Sequence, residues 1–180
     1  MSAAEIVQKF TYDDYQEWEG RWELIDGEAY NMAPAPYPKH QRIVFKVSKE
    51  LDKHLNCIFK NACEVYISPI DWKIDEFNTV EPDVAVFCEK TNNQYFSTTP
   101  KLIVEVLSKG TAKKDTTIKF DLYESQKVPF YIIIEPEKEE VLIYRLEDEK
   151  YKLQEHLKEK KEVELKNSEC EFKIDFKEVF

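Results

Sequence analysis

The chain has 180 residues, with 36 acidic against 26 basic side chains, a net charge of −10, 42% hydrophobic and 13% aromatic content. That balance supports a sizeable folded core and excludes both a disordered tail and a general nucleic-acid coat, which would need a basic field. With 3 glycines and neither a G-x-G-x-x-G nor a P-loop, the chain is no glycine-rich phosphate binder.

No apolar run approaches the roughly 20 residues of a membrane-spanning helix, and Met1–Glu5 lacks the basic and apolar regions of a signal peptide. The expectation is one cytoplasmic domain over residues 1–180. Cys57, Cys63, Cys88 and Cys170 form no C-x-x-C pair and read as small buried hydrophobes in a reducing compartment.

In chain order, Thr11 caps a short helix through Trp18, with Asp13 and Asp14 favourable in its first turn. Trp22–Ile25 and Glu28–Tyr30 flank Asp26-Gly27, a strong hairpin signal. Pro34, Pro36 and Pro38 punctuate a loop. From His40 to Leu55, Ile43, Val44, Val47, Leu51 and Leu55 recur at helical spacing, with Lys46, Lys49, Glu50 and Lys53 on the wet side. Residues 64–74 alternate as a strand or two strands interrupted at Pro69. Residues 80–88 read as another strand, with Val80, Val84, Val86 and Cys88 facing one way and Glu81, Asp83, Ala85 and Phe87 the other.

Residues 101–107 (Lys-Leu-Ile-Val-Glu-Val-Leu) form a β-branched apolar run, as in a strand buried on both faces. The carboxylate of Glu105 in its middle requires compensation by a structural salt bridge, a lysine or a bound metal. A helix over 112–126 follows, then a strand at Phe130–Ile134 paired with 140–146. The highly charged remainder reads as edge strands closing the sheet and a short packing segment. The result is a mixed α/β fold, a mixed sheet flanked by helices. Acids outnumber bases fifteen to ten over 135–180, whereas 109–127 carries five lysines against three acids, a possible local basic rim.

Paired strands would bring Asp83 and Glu105 to one end of the sheet. With the Val106 backbone carbonyl they make an all-oxygen donor set of the kind Mg²⁺ prefers. Asp115, Lys119 and Tyr123 follow at i, i+4 and i+8 on the next helix. Lys119 reads either as an electrostatic helper in phosphodiester hydrolysis or as half of an ordinary surface pair with Asp115. His40 reads as a phosphate contact or proton carrier, or as a capping and packing residue.

Pro82-Asp83, Glu105-Val106-Leu107-Ser108 and the run Asp115, Lys119, Tyr123 resemble the PD-(D/E)XK nuclease superfamily, and more narrowly its Uma-type restriction-endonuclease family. Glu23-Leu-Ile-Asp-Gly-Glu28, His40 at a helix start, Val128-Pro-Phe-Tyr131 and Phe176 to Phe180 extend the resemblance over nearly the whole chain. It implies a restriction-endonuclease-like core with an extra N-terminal hairpin and C-terminal edge strands. It also implies an Mg²⁺- or Mn²⁺-dependent endonuclease acting on DNA as a homodimer. Asp83 and Glu105 would be metal ligands, and Glu28 a third acid near them. The superfamily lysine normally lies two residues after the second acid, where this chain has Leu107, so the role passes to Lys119. Two rivals stand beside this reading: a catalytically idle nuclease-fold module for binding or assembly, and a metal-dependent hydrolase of a small phosphodiester.

Overall fold

The computed structural model describes residues 9–32, 37–58 and 63–180; the expectations for Met1–Glu5 and for the Pro34 and Pro36 loop lie outside them. Helix α1 (Tyr12–Gln16) opens on a capping box, in which the Thr11 hydroxyl accepts from the Asp14 N–H and the Asp14 carboxylate accepts from the Thr11 N–H. Strands β1 (Trp22–Ile25) and β2 (Glu28–Asn31) form the hairpin, with Asp26 and Gly27 at φ of 53° and 77°, as the twist-matched two-residue turn demands. Helix α2 (Pro38–His54) starts two residues before His40 because Pro38 suits a first turn. It buries Ile43, Val44, Val47 and Leu51, and also Glu50, expected on the wet face, whose carboxylate accepts from the Asp175 N–H at 3.4 Å.

The next strands are β3 (Asn56–Cys57), β4 (Glu64–Ile67), β5 (Asp71–Lys73), β6 (Thr79–Val80), β7 (Val84–Phe87), β8 (Tyr95–Phe96) and β9 (Leu102–Val106). Residues 64–74 are the two strands interrupted at Pro69, and the single strand expected over 80–88 also divides, at Pro82, since a proline cannot donate to a ladder. The helix expected over 112–126 is two, α3 (Ala112–Thr116) and α4 (Ile118–Ser125), broken at Thr117. The hydroxyls of Thr116 and Thr117 donate back to the carbonyls of Ala112 and Lys113 at 2.7 and 2.6 Å, a competition that bends helices. The chain ends with β10 (Phe130–Glu135), β11 (Glu140–Glu147), β12 (Lys150–Leu157), β13 (Glu162–Lys166), β14 (Cys170–Asp175) and α5 (Phe176–Val179).

A six-stranded central sheet has the order β12-β11-β10-β9-β7-β4, with β9 and β10 parallel and the other neighbours antiparallel. The parallel pair needs a crossover, which α3 and α4 supply. The hairpin joins a five-stranded sheet, β2-β1-β6-β5-β8. Of the expected C-terminal edge strands, β12 does close the central sheet, whereas β13 and β14 form a separate sheet with β3. One face of the central sheet (Val104, Ile132) packs on α2 and this small sheet; the other (Ile103, Ile133) packs on α4 and the hairpin sheet through Tyr123 and Trp72.

The cysteines depart from expectation. Cys57 is bonded to Cys170, and Cys63 to Cys88. Antiparallel register prepares both pairs: Cys57 lies across from Cys170, and the pairing of Glu64 with Phe87 continues to Cys63 and Cys88. Their separations of 113 and 25 residues carry no local spacing signal.

Candidate active site

Strands β7 and β9 pair antiparallel with Val84 opposite Val104, which sets Asp83, at the mouth of β7, against Glu105. Because Val104 and Val106 face α2, strand alternation aims Glu105 at the α4 side. The Asp83 N–H donates to Glu105 Oε2 at 3.4 Å, and the Val106 N–H donates to Asp83 Oδ2 at 2.8 Å. From α4, Lys119 Nζ lies 2.6 Å from Glu105 Oε1 and 3.9 Å from Asp115 Oδ1, while the Tyr123 hydroxyl donates to Glu105 Oε1 at 2.8 Å. Lys119 is 1% exposed and Glu105 2%, so this is no surface pair.

A further acid comes from β1. Glu23 is fully buried, with Oε1 2.8 Å from Lys119 Nζ and accepting the Glu81 N–H at 3.0 Å; its Oε2 is ion-paired to Lys114. Burial opposes the charge on Glu23, but the two ammonium groups hold its carboxyl below the usual range. Glu105 goes the other way. Burial, together with repulsion from Asp115, Asp83 and Glu23, outweighs Lys119 and pushes its carboxyl well up. Burial likewise raises Asp115. At the rim, His40 Nε2 sits 3.2 Å from Asp83 Oδ2. Burial opposes the charged imidazole, yet the Asp83 carboxylate and the Val106 backbone carry it above its usual value. His40 Nδ1 is buried without a partner.

Asp83, Glu105, Asp115 and Glu23 thus converge on Lys114 and Lys119, with His40 against Asp83 at the rim. Asp83, Glu105 and the Val106 carbonyl are oxygen donors suited to Mg²⁺ or Mn²⁺, so the residues present fit such an ion.

The family model described as "Putative restriction endonuclease", Uma2, matches residues 12–176. The chain belongs to the Uma2 family. Two Synechocystis proteins are similar to this Uma2 chain. Uncharacterized protein slr1290 is 30% identical over 177 residues, covering 93% of this chain and 90% of the relative. Uncharacterized protein sll1609 is 30% identical over 141 residues, 75% of each. Among solved structures, one described as a putative nuclease belonging to DUF820 from Anabaena variabilis superimposes with a TM-score of 0.71 at 16% identity. It covers 95% of this chain and 97% of its own. The fold is therefore restriction-endonuclease-like, as the sequence resemblance implied.

Of the residues singled out from the sequence, this Uma2 fold brings Asp83, Glu105, Val106, Lys119 and His40 together. Glu28 stays apart: it is exposed on β2, and its carboxylate accepts the Tyr30 hydroxyl at 2.8 Å. The hairpin acid that enters the cluster is Glu23. Glu28, paired with Ile25, lies on the same face of the hairpin but on the edge strand, whereas Glu23 lies on the inner strand β1. Beside the cluster, a cleft of about 220 Å³ is bordered by His40, Lys39 and Lys109, with Glu135 and Glu137 also on its wall. The local basic rim over 109–127 is thus mixed in sign at the cleft, where Glu135 and Glu137 share the wall with Lys109, and Lys114 turns inward to Glu23.

Proposed function

We propose that this chain is a divalent-metal-dependent nuclease that hydrolyses phosphodiester bonds in DNA. Asp83, Glu105 and the Val106 carbonyl hold Mg²⁺ or Mn²⁺. Bound there, the cation supplies Lewis-acid stabilisation of charge developing on the phosphoryl oxygens. The observation that carries the reading is the convergence of Asp83, Asp115 and Glu23 on the buried Glu105, whose mutual repulsion raises the Glu105 carboxyl and would be relieved by a divalent cation.

The chain's own residues have distinct tasks. Lys119, held between Glu105 and Glu23, keeps a full positive charge in a dry site and stabilises negative charge at the scissile group. Tyr123 and Lys119 both bond to Glu105 Oε1 and so fix the carboxylate's rotamer, leaving Oε2 turned towards Asp83. His40 orients the Asp83 carboxylate and stands between it and the cleft. Lys39 and Lys109 attract the backbone at the cleft mouth. Two copies of the chain, one per strand, suit double-strand cleavage.

A second reading has its own support. Lys119 is sealed at 1% exposure in a satisfied ion cluster, as expected if the pocket of an idle binding module had closed over its acids. Incubation of supercoiled and linear DNA with the chain and Mn²⁺ or Mg²⁺, beside Lys119→Ala, separates the two. The nuclease reading expects metal-dependent nicking that the substitution abolishes. Metal binding without cleavage of DNA or of a small activated phosphodiester would sink it, and cleavage of the small diester alone would move the assignment to that substrate class.

A further inference from the structure

The two disulfides lie against each other. All four sulfurs, of Cys57, Cys63, Cys88 and Cys170, fall within 4.8 Å of one another, the one group of potential metal-binding side chains of this kind among the described residues. Each pair comes from an antiparallel ladder, one in the small C-terminal sheet and one at the β4–β7 edge of the central sheet. As covalent crosslinks, each joins strands that already pair within its own sheet, and neither ties one sheet to the other. As four thiolates they form a different object. A tetrahedral Zn²⁺ with Zn–S bonds of about 2.3 Å needs its sulfurs roughly 3.8 Å apart, so the two bonded pairs would open while no sulfur starts more than 4.8 Å from another. A cluster of several irons would need its thiolates held farther apart.

We propose that, with the disulfides reduced, Cys57, Cys63, Cys88 and Cys170 bind one Zn²⁺ in a tetrahedral tetrathiolate site that ties the C-terminal sheet to the edge of the central sheet. The chemistry balances with a dithiol as reductant. Each disulfide takes two electrons and two protons from one dithiol, which closes to its own cyclic disulfide. The four thiols then lose four protons as four Zn–S bonds form. Cys57 and Cys170 are buried at 7% and 2%, as in a closed structural site, whereas Cys63 and Cys88 are half-buried and give the reductant and the ion their entry. The four sulfurs come from elements far apart in the chain, so the folded protein presents a preformed site. Five strand residues, about 16 Å, separate Cys88 from Asp83, so the site is separate from the acidic cluster and does not rest on the nuclease reading.

The test is titration of the full chain, reduced with dithiothreitol and desalted without oxygen, with Co²⁺ as a spectroscopic probe. The result expected is four titratable thiols, one Co²⁺ per chain, sulfur-to-cobalt charge-transfer bands with intense tetrahedral visible bands, and their loss on adding one Zn²⁺. These bands distinguish sulfur ligands from the oxygens at Asp83 and Glu105. Cys63→Ser with Cys88→Ser should weaken Zn²⁺ binding by more than the roughly 100-fold that losing an outer-sphere partner costs. A reduced chain that keeps its far-ultraviolet circular dichroism, shows four thiols and binds no Co²⁺ would overturn the proposal, as would unchanged binding in the double variant. If the reduced chain unfolds, metal analysis of protein expressed with zinc and purified under reductant decides: one zinc protecting four thiols supports the site, and no zinc refutes it.

Discussion

Replacing Lys119 with Met keeps much of the side chain's volume and deletes its charge. The ammonium lies 2.6 Å from Glu105 and 2.8 Å from Glu23, with all three side chains sealed from solvent. Removing one partner of a buried ion pair costs roughly 3–5 kcal/mol, because the remaining charge stays buried without compensation. Two features set where the cost falls. Glu23 keeps Lys114 and the Glu81 N–H, so it remains ionised at modest expense. Glu105 keeps only hydrogen bonds from the Tyr123 hydroxyl and the Asp83 N–H, so the substitution drives it further towards its protonated form. A carboxyl whose folded pKa is raised favours folding fully below its unfolded value, and that contribution is lost as pH rises through the folded value. The deficit of Lys119→Met should therefore be near 3 kcal/mol or more at pH 7.5 and shrink as pH falls towards about 4.5. Adding Glu105→Gln should return much of the loss, because it removes the stranded charge. Urea melts at both pH values, read as midpoints at constant slope, measure this. A loss under about 1 kcal/mol at pH 7.5, or strictly additive losses in the double variant, would refute the account of the cluster.

Glu23→Gln should weaken both stability and Mn²⁺ affinity, whereas Glu28→Gln, at an exposed position beside the turn, should leave both within error; thermal melts and calorimetry read the contrast. Burial pushes the Asp71 carboxyl up to about 6, despite the Tyr15 hydroxyl bonded to it at 2.9 Å. Between the unfolded value near 3.8 and about 6 the folded chain binds the extra proton, so this group's contribution to stability falls as pH rises through that window. Asp71→Asn should accordingly raise the melting temperature at pH 7.5 and raise it less at pH 5, and an equal gain at both would contradict the shift. Thr11→Ala removes the capping hydroxyl of α1 and should cost about 1 kcal/mol in chemical denaturation; no loss would mean that the aromatic contacts of Tyr12 and Tyr15, rather than the cap, hold that helix.

Elements governed by local chemistry were readable from the residues: the Asp26-Gly27 turn, the Thr11 cap, the apolar spacing of α2, and the β-branched runs that became β9 and β10. What escaped depended on groups distant in sequence. Glu50 looks solvated on its own helix, and only the Asp175 backbone explains its burial. The break at Thr117 reflects two hydroxyls competing for helix carbonyls, a choice that the apolar periodicity of residues 112–126 does not reveal. The cysteine pairs follow from strand register, which places partners 113 and 25 residues apart. At the site, Glu105 was visible because a charge inside an apolar strand demands a partner, whereas the roles of Asp83 and Lys119 stood out through the family resemblance. Choosing between Glu23 and Glu28 was a matter of position, not of face: the register puts both on one side of the hairpin, but Glu23 lies on the inner strand and Glu28 beside the turn on the edge strand.

The central claim is that the acids around Glu105 hold a divalent cation. Calorimetric titration of the native chain, Asp83→Asn and Glu105→Gln with Mn²⁺ and Mg²⁺, in two buffers of different ionisation enthalpy, tests it most directly. The account predicts a saturable site on the native chain, lost in both variants, with protons released on binding because burial raises the Glu105 carboxyl and a bound cation would lower it. No saturable binding to the native chain, with DNA present or absent, would contradict it and leave Glu105 as a structural partner of Lys119.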